Sequence, residues 1–158
     1  MSEIIFIAWS IFFGISPLSL EESVSENWWT YRDEALGFEI EIPGNMMLSQ
    51  HLNDEINRVA DFKNEERLFA VSLKDMDGRT LEDYFYLDFP IDSMGELDGK
   101  PAAIFKAPNG YCDGPDCGSP FITYAAEHNG DIYNISFYGN TELDEVELRV
   151  LSSFKFLD

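Results

Sequence analysis

The dipeptide Asn129-Gly130 is the feature that most constrains the fold of this chain. It separates two runs rich in β-branched and aromatic residues, FITYAAE at 121–127 and DIYNISFY at 131–138. Both central residues of a type I′ turn have positive φ, which Asn and Gly tolerate, so the pattern predicts a tight antiparallel hairpin. Alternation places one set of side chains on a common face of this hairpin: Ile122, Tyr124 and Ala126 on the first strand, and Tyr133, Ile135 and Phe137 on the second.

Other segments have the period of two that is typical of strands. In GFEIEIP, at 37–43, Phe38, Ile40 and Ile42 alternate with two glutamates, and Pro43-Gly44 ends the run. LFAVSL at 68–73 predicts a second strand, and PAAIFKAP at 101–108, after a turn at Asp98-Gly99, predicts a third. Residues 56–62 predict a less clearly patterned strand. These runs indicate a sheet of several antiparallel strands.

Two segments predict helices. Thr80, with Asp83 three residues on, has the spacing of a capping box ahead of LEDYFYLDF, and Asp75-Met76-Asp77-Gly78 before it predicts a turn. Thr141 and Asp144 repeat that spacing ahead of a helix whose buried stripe would be Leu143, Val146 and Val150. The chain then closes with SFKFLD, in which Phe154 and Phe156 share a face. The order of elements predicts an α+β fold, a central antiparallel β-sheet flanked by helices.

The charge balance limits the classes of partner. The 158 residues include 30 acidic and 10 basic side chains, a formal net charge of −20. Such a surface repels phosphate backbones and anionic headgroups, so the sequence predicts no nucleic-acid binding. Two interpretations of the acidity stay open: a solvated surface, which the scattered acids favour, or attraction for cations or a basic partner.

An apolar run near the start of the chain bears on location. Residues 4–15, IIFIAWSIFFGI, carry no charge and have the length of a signal-peptide core rather than the about 20 residues of a spanning helix. The preceding MSE lacks the Lys or Arg of a typical signal, and a buried element of the domain is the alternative interpretation. We expect residues 1–20 to be an export signal or membrane anchor, 21–27 an acidic linker, and 28–158 one domain outside the cytoplasm.

The two cysteines, Cys112 and Cys117, lie four residues apart in YCDGPDCGSP. In an exported chain such a pair is readily oxidised, and Gly114 and Pro115 between them favour a turn, so we predict a disulfide that fastens one loop. Asp113 and Asp116 are the alternative candidates, as ligands of a cation such as Ca²⁺. Thiol metal ligation and redox chemistry stay open as further alternatives, although redox pairs usually have two intervening residues.

Nothing in the sequence assembles a catalytic site. Activation of a nucleophile needs a neighbouring base, and the chain has only two histidines, His51 and His128. His128 directly precedes the Asn129-Gly130 turn, where we expect a solvated side chain. The sequence therefore predicts a protein that is not an enzyme.

Several segments together resemble the PsbP-like family. They are the aromatic residues Trp28, Trp29 and Tyr31 ahead of GFEIEIP, then DGKPAAIF, DIYNISFYG and the closing helix with SSFKF, over about Trp28 to Leu157. The segment after Pro43 departs from the family, whose members often have Trp there. The resemblance implies an antiparallel sheet with helices on both sides and a binding or accessory role. Some relatives bind metal ions, but no ligand positions carry over to this chain.

The function predicted from these observations is a non-catalytic, extracytoplasmic binding or accessory domain. We expect a monomer that binds a protein partner, contacts membranes only through residues 1–20, and needs no cofactor. Two alternatives remain: an acidic Ca²⁺-binding protein, and an acidic inhibitor of a basic enzyme.

Overall fold

The computed structural model describes residues 27–55, 57–78, 80–81, 90–108 and 118–158. These residues form ten strands and one helix, α1. The elements are β1 (Trp28–Asp33), β2 (Phe38–Pro43), β3 (Met47–Asn53), β4 (Arg58–Lys63), β5 (Leu68–Asp75), β6 (Ser93–Leu97), β7 (Lys100–Ala107), β8 (Phe121–His128), β9 (Asp131–Tyr138), α1 (Glu145–Ser153) and β10 (Lys155–Phe156).

The strands form two antiparallel sheets. The larger has seven strands in the order β3-β4-β5-β9-β8-β7-β6, and the smaller has three in the order β1-β2-β10. In the larger sheet, β9 pairs with β8 along the whole hairpin and with β5 on its other side. The prediction of a central antiparallel sheet is confirmed.

Two hairpin turns have the backbone that their sequences require. Asn129 and Gly130 have φ of 52° and 85°, and Asp98 and Gly99 have φ of 46° and 75°. Positive φ at both central residues is the type I′ arrangement, whose twist matches the flanking strands. The hairpin predicted from Asn129-Gly130 is therefore confirmed, with His128 directly across from Asp131.

One hydrophobic core joins the two sheets. The alternating side chains of β2, Phe38, Ile40 and Ile42, are fully buried, as the period of two predicts. They belong to the same cluster as residues of β4, β5, β8 and β9, among them Phe62, Val71, Ile122, Ile135 and Phe137. We call the face of the seven-stranded sheet that carries this cluster the inner face. A smaller cluster of Met76, Ala103, Phe105, Ala125 and Ile132, with Leu81 against it, occupies the opposite, outer face.

The last helix begins three residues later than the sequence suggested. Asp144, not Thr141, is the N-cap: its carboxylate accepts hydrogen bonds from the backbone N–H groups of Val146 and Glu147. The Glu147 carboxylate accepts one in return from the Asp144 N–H at 3.0 Å, which completes a capping box. A better reciprocal partner at position 147 thus displaced the predicted start. The helix buries Val150 and packs against β2, where Ser153 Oγ accepts from the Glu41 N–H at 2.8 Å.

The prediction of helices flanking the sheet is supported only at this one element of the described chain. Of the helix predicted from Thr80, only Thr80 and Leu81 lie within the described residues. Three strands were missed: β1, interpreted as an aromatic lead-in, and β3 and β6, whose sequences MLSQHLN and SMGEL do not alternate cleanly. In the described part of the chain, no helix combines the length and apolar character needed to cross a membrane.

Candidate functional site

Strand β3 forms one edge of the seven-stranded sheet, and we call it the β3 edge (Met47–Asn53). Every residue of it is exposed except Leu52, which is half-buried. Among the described residues β3 pairs with β4 alone, so its other side presents backbone N–H and C=O groups without a neighbouring strand. None of its seven residues is Asp, Glu, Lys or Arg, although the chain as a whole carries a net charge of −20.

A β-bulge interrupts the edge near its middle. The pairing with β4 shifts between Leu48 and Gln50, which leaves Ser49 as the extra residue. Ser49 Oγ donates a hydrogen bond to the backbone carbonyl of Asp61 at 3.2 Å, so the side chain fastens the bulge to the neighbouring strand. Bulges bend a strand and increase its twist, and they are common at sheet edges and near functional sites.

A cavity of about 540 Å³ lies at the Met47 end of the edge. It is formed where the β2–β3 and β4–β5 connections meet, and it is lined by Asn45, Met47, Lys63, Asn64, Glu65 and Glu66. Asn64 shapes this end of the sheet: its Oδ1 accepts from the N–H groups of Glu66 and Arg67, and its Nδ2 donates to Asn45 Oδ1 at 3.3 Å. The cavity wall therefore combines an exposed thioether with two carboxylates and one ammonium group.

The other end of the edge is fastened by His51. Its Nε2 lies 2.7 Å from Asp33 Oδ2 on β1, and Tyr31 donates its hydroxyl to the same oxygen at 2.9 Å. Asp33 is buried, and its other oxygen accepts from the N–H groups of Ala35 and Leu36. This cluster of Tyr31, Asp33 and His51 connects the small sheet to the large one.

The turn after β1 explains how Asp33 is positioned. Gly37 closes the turn, with its N–H donating to the Asp33 carbonyl at 2.8 Å and with φ of 72°, a conformation that favours glycine. A Cβ at position 37 would lie 2.8 Å from the Tyr133 hydroxyl, which itself donates to the Leu36 carbonyl. Position 37 therefore accommodates only a residue without a Cβ, and the turn that Gly37 closes holds the Asp33 carboxylate toward β3.

The hydrogen bonds in this cluster shift its acid–base equilibria. Burial of Asp33 acts to raise its pKa, but the bonds it accepts from the Leu36 N–H, Tyr31 and His51 outweigh burial and lower the pKa below its usual value. Burial and the hydrogen bond to the Asp33 carboxylate raise the pKa of Tyr31 well above its usual range. Asp33 therefore stays ionised and Tyr31 neutral near pH 7.

An imidazole oriented by a buried carboxylate makes up two of the three members of a catalytic triad, and the third is the nucleophile. Within the described residues, no hydroxyl donates to His51: Ser49 Oγ, two residues away, is bonded to the Asp61 carbonyl instead. The geometry supports orientation of His51 and attachment of β3 to β1.

His128 is not the solvated turn residue that its place before Asn129-Gly130 suggested. It is 6% exposed and stacks on Phe156, with ring centroids 4.4 Å apart. The correction has a simple cause: residue 128 follows the alternation of Ile122, Tyr124 and Ala126, so its side chain lies on the inner face against β10. Its Nδ1 has no hydrogen-bond partner in the part of the chain that the structure describes.

The two histidines do not share a site. Four strand spacings separate β3 from β8 in the sheet, about 19 Å at about 4.8 Å each. The described residues contain no group of three His, Cys, Asp or Glu side chains able to hold a metal ion. At Asp75–Gly78 the structure has a turn, in which Asp75 Oδ1 accepts from the Asp77 N–H at 2.8 Å.

The loop with Cys112, Asp113, Asp116 and Cys117 lies outside the described residues. The disulfide and the alternative cation site therefore stay predictions. The β3 edge, in contrast, was not identified from the sequence; the turn signal Pro43-Gly44 shortly before it was the one local indication of a new strand.

Comparisons with known proteins connect this fold to solved structures. No protein-family model matches the sequence, and a search of curated proteins finds no significant match. The solution structure of cyanobacterial PsbP (CyanoP) from Synechocystis sp. PCC 6803 is similar with a TM-score of 0.56 and 13% identity, over 89% of this chain and 99% of that one.

A crystal structure of a protein from Bacteroides thetaiotaomicron VPI-5482 is similar at a TM-score of 0.57 and 12% identity. The match covers 82% of this chain but 48% of that one, so this chain corresponds to about half of the longer protein. At these identities the comparisons establish architecture. Together with the two sheets described above, they show that the chain has a PsbP-like fold.

Proposed function

We propose that this chain is a non-catalytic, extracytoplasmic binding domain that docks on a partner protein through the β3 edge. The observation that carries the proposal is the edge itself: seven consecutive strand residues, all exposed except Leu52 and none of them Asp, Glu, Lys or Arg, on a molecule with a net charge of −20. Monomeric proteins usually protect such an edge with charges or by covering it. A β-bulge is another feature that protects a sheet edge, and the bulge at Ser49 is the one protective feature within β3.

Two further observations support the proposal. The apolar run at 4–15 and the Cys112/Cys117 pair are typical of exported chains. His51 and Asp33, the arrangement closest to catalytic geometry among the described residues, connect two sheets and hold no nucleophile. A partner-binding role uses the edge without requiring chemistry at this pair.

Site-specific photocrosslinking tests the function in intact cells that export the full chain. A benzophenone amino acid replaces Met47 on the β3 edge, and a matched variant carries it at Leu148, an exposed residue of α1. We expect one adduct of defined mass from Met47 and none from Leu148, with the partner identified by mass spectrometry and its binding reproduced with purified components.

The same experiment includes a test for catalysis. The purified protein should turn over neither an ester nor a peptide substrate, because the proposed binding role uses no imidazole base. Absence of any adduct from Met47, or turnover of an ester or peptide substrate that His51→Ala abolishes, would contradict the proposal.

A further inference from the structure

We propose that the β3 edge binds its partner by strand addition, and that the added segment is an extended stretch rich in lysine or arginine. This inference rests on the proposed function and names the chemistry of the partner. It depends on three properties of the edge: its unpaired backbone, the acidic groups around it, and the cavity at Met47.

The backbone of β3 is suited to an added strand. Among the described residues it pairs on one side only, and its side chains are exposed from Met47 through His51. An extended segment laid along such an edge gains main-chain hydrogen bonds whatever its sequence, and its alternate side chains meet the surface beside it. Attachment through His51 and Asp33 keeps the edge in place before binding, which lowers the entropic cost of ordering it.

Acidic groups surround this uncharged strand. Asp54 and Glu55 follow it directly, Asp61 lies across from Gln50, and Glu65 and Glu66 line the cavity at its start. An added strand with alternating cationic side chains would place positive charge beside these carboxylates, and an acidic segment would be repelled.

The nearby guanidinium groups do not neutralise this charge, since they have acidic partners of their own. Arg58 is paired with Asp131, and Arg67 is paired with Asp144. Lys63 lines the cavity together with two glutamates, so the carboxylates outnumber the ammonium group there. A second copy of this chain fits less well, because each copy carries a net charge of −20 and two β3 edges would bring like charges together.

The cavity accounts for the preference for long cationic side chains. The Met47 side chain is 62% exposed at the cavity wall, next to Glu65 and Glu66. The aliphatic part of a lysine or arginine can cover the thioether while its charged end remains near the carboxylates. One side chain of the added strand would thus be fixed in register by both contacts.

The test uses the purified folded protein and a synthetic nine-residue peptide in which lysine and valine alternate. Binding is followed by amide chemical shifts in two-dimensional NMR, which also report the fold of every variant. We expect saturable shifts concentrated at residues 47–53 and weaker binding as salt rises, because the charge contribution is screened. The same peptide with alternate backbone nitrogens methylated keeps its charge and should bind about tenfold more weakly.

The sequence offers a matched pair of variants. Met47 and Met94 lie on opposite edges of the sheet and are exposed to almost the same degree, 62% and 60%. Met47→Lys should weaken binding of the lysine–valine peptide about tenfold by repulsion, whereas Met94→Lys should change it less than about twofold.

Four results would overturn the inference: no binding up to about 1 mM peptide, equal binding of the methylated peptide, equal loss in both lysine variants, or a dimer of this chain that Met47→Lys dissociates. The outcomes separate the two proposals. An identified partner crosslinked at Met47, together with failure of the peptide to bind, would leave the proposed function in place and exclude strand addition by a basic segment.

Discussion

The two edges of the seven-stranded sheet, β3 (Met47–Asn53) and β6 (Ser93–Leu97), differ in ways that bear on binding. Both are largely exposed, and each carries a methionine on the outer face, Met47 across from Lys63 and Met94 across from Ala103. However, β6 has five residues, among them a charged Glu96 and a Gly95 that weakens a strand, whereas β3 has seven residues without charge. The longer, uncharged edge is the better template for an added strand.

The small sheet holds both of these edges, but by different means. On the β3 side, the Asp33 carboxylate contacts a side chain of the edge itself, His51 at 2.7 Å. On the β6 side, Asp98 in the β6–β7 turn accepts from the backbone N–H of Phe156 at 2.9 Å. Among the described residues, one edge is therefore fixed along its strand and the other at its end.

The strand next to β3 provides the strongest test of this difference. Phe62 on β4 is fully buried, with Tyr31 edge-on at 5.0 Å and Phe69 stacked at 4.9 Å. Phe62→Ala should lower the free energy of unfolding by about 3–5 kcal/mol, through lost burial and the cavity left behind. Urea denaturation measures this, and exposed Met47→Ala is the control, with a change within about 0.5 kcal/mol.

Amide hydrogen exchange in Phe62→Ala compares the two edges directly. Because β4 is the one described neighbour of β3, we expect exchange to accelerate more at residues 47–53 than at residues 93–97. Equal acceleration at both edges would show that β3 has no special dependence on Phe62.

The Asp33–His51 contact predicts a smaller, acid-dependent effect. Asp33→Asn should destabilise the fold by about 2 kcal/mol at pH 7. The neutral amide that replaces the buried carboxylate cannot form its charge-assisted hydrogen bonds. Since the pKa of Asp33 is lowered in the folded state, its contribution is complete above the ordinary value of about 3.9 and is lost as the pH falls below it. The difference between the two proteins in thermal unfolding should therefore shrink toward low pH.

Asp61 on β4 offers a control with the opposite sign. Burial raises the pKa of this carboxyl, so its ionisation opposes folding once the pH is above the ordinary value. Asp61→Asn should therefore be at least as stable as the natural chain at pH 7. If the stabilities of the Asp33 and Asp61 variants, each relative to the natural chain, changed in the same direction with pH, the contact with His51 would not be what stabilises the ionised Asp33 carboxylate.

The smallest loss of folding stability is expected from a contact on the β6 side. Asp98→Ala removes the acceptor of the Phe156 N–H and places alanine at φ of 46°, which together should cost about 1 kcal/mol. Asp98→Asn keeps an acceptor oxygen and tolerates positive φ, so its free energy of unfolding should be close to that of the natural chain. If both variants lost equal stability, the side-chain hydrogen bond would not be what holds this end.

Where a residue's immediate neighbours decide its conformation, the sequence was a good guide. Asn129-Gly130 predicted the β8–β9 hairpin, and the alternation in 37–43 predicted which side chains of β2 are buried. Turn chemistry and side-chain period act over a few residues and are therefore readable in the chain. The helix start, misplaced by three residues, shows the limit, because two overlapping capping boxes compete locally.

By itself, the sequence determined an antiparallel β-rich fold of PsbP-like type and a strongly acidic surface. Only the tertiary structure decided that MLSQHLN is an edge strand, that His51 meets Asp33, and that His128 is buried against Phe156. Each of these depends on which distant strands become neighbours. Pairing between sheets is set by packing over the whole core, and no spacing within a short segment encodes it.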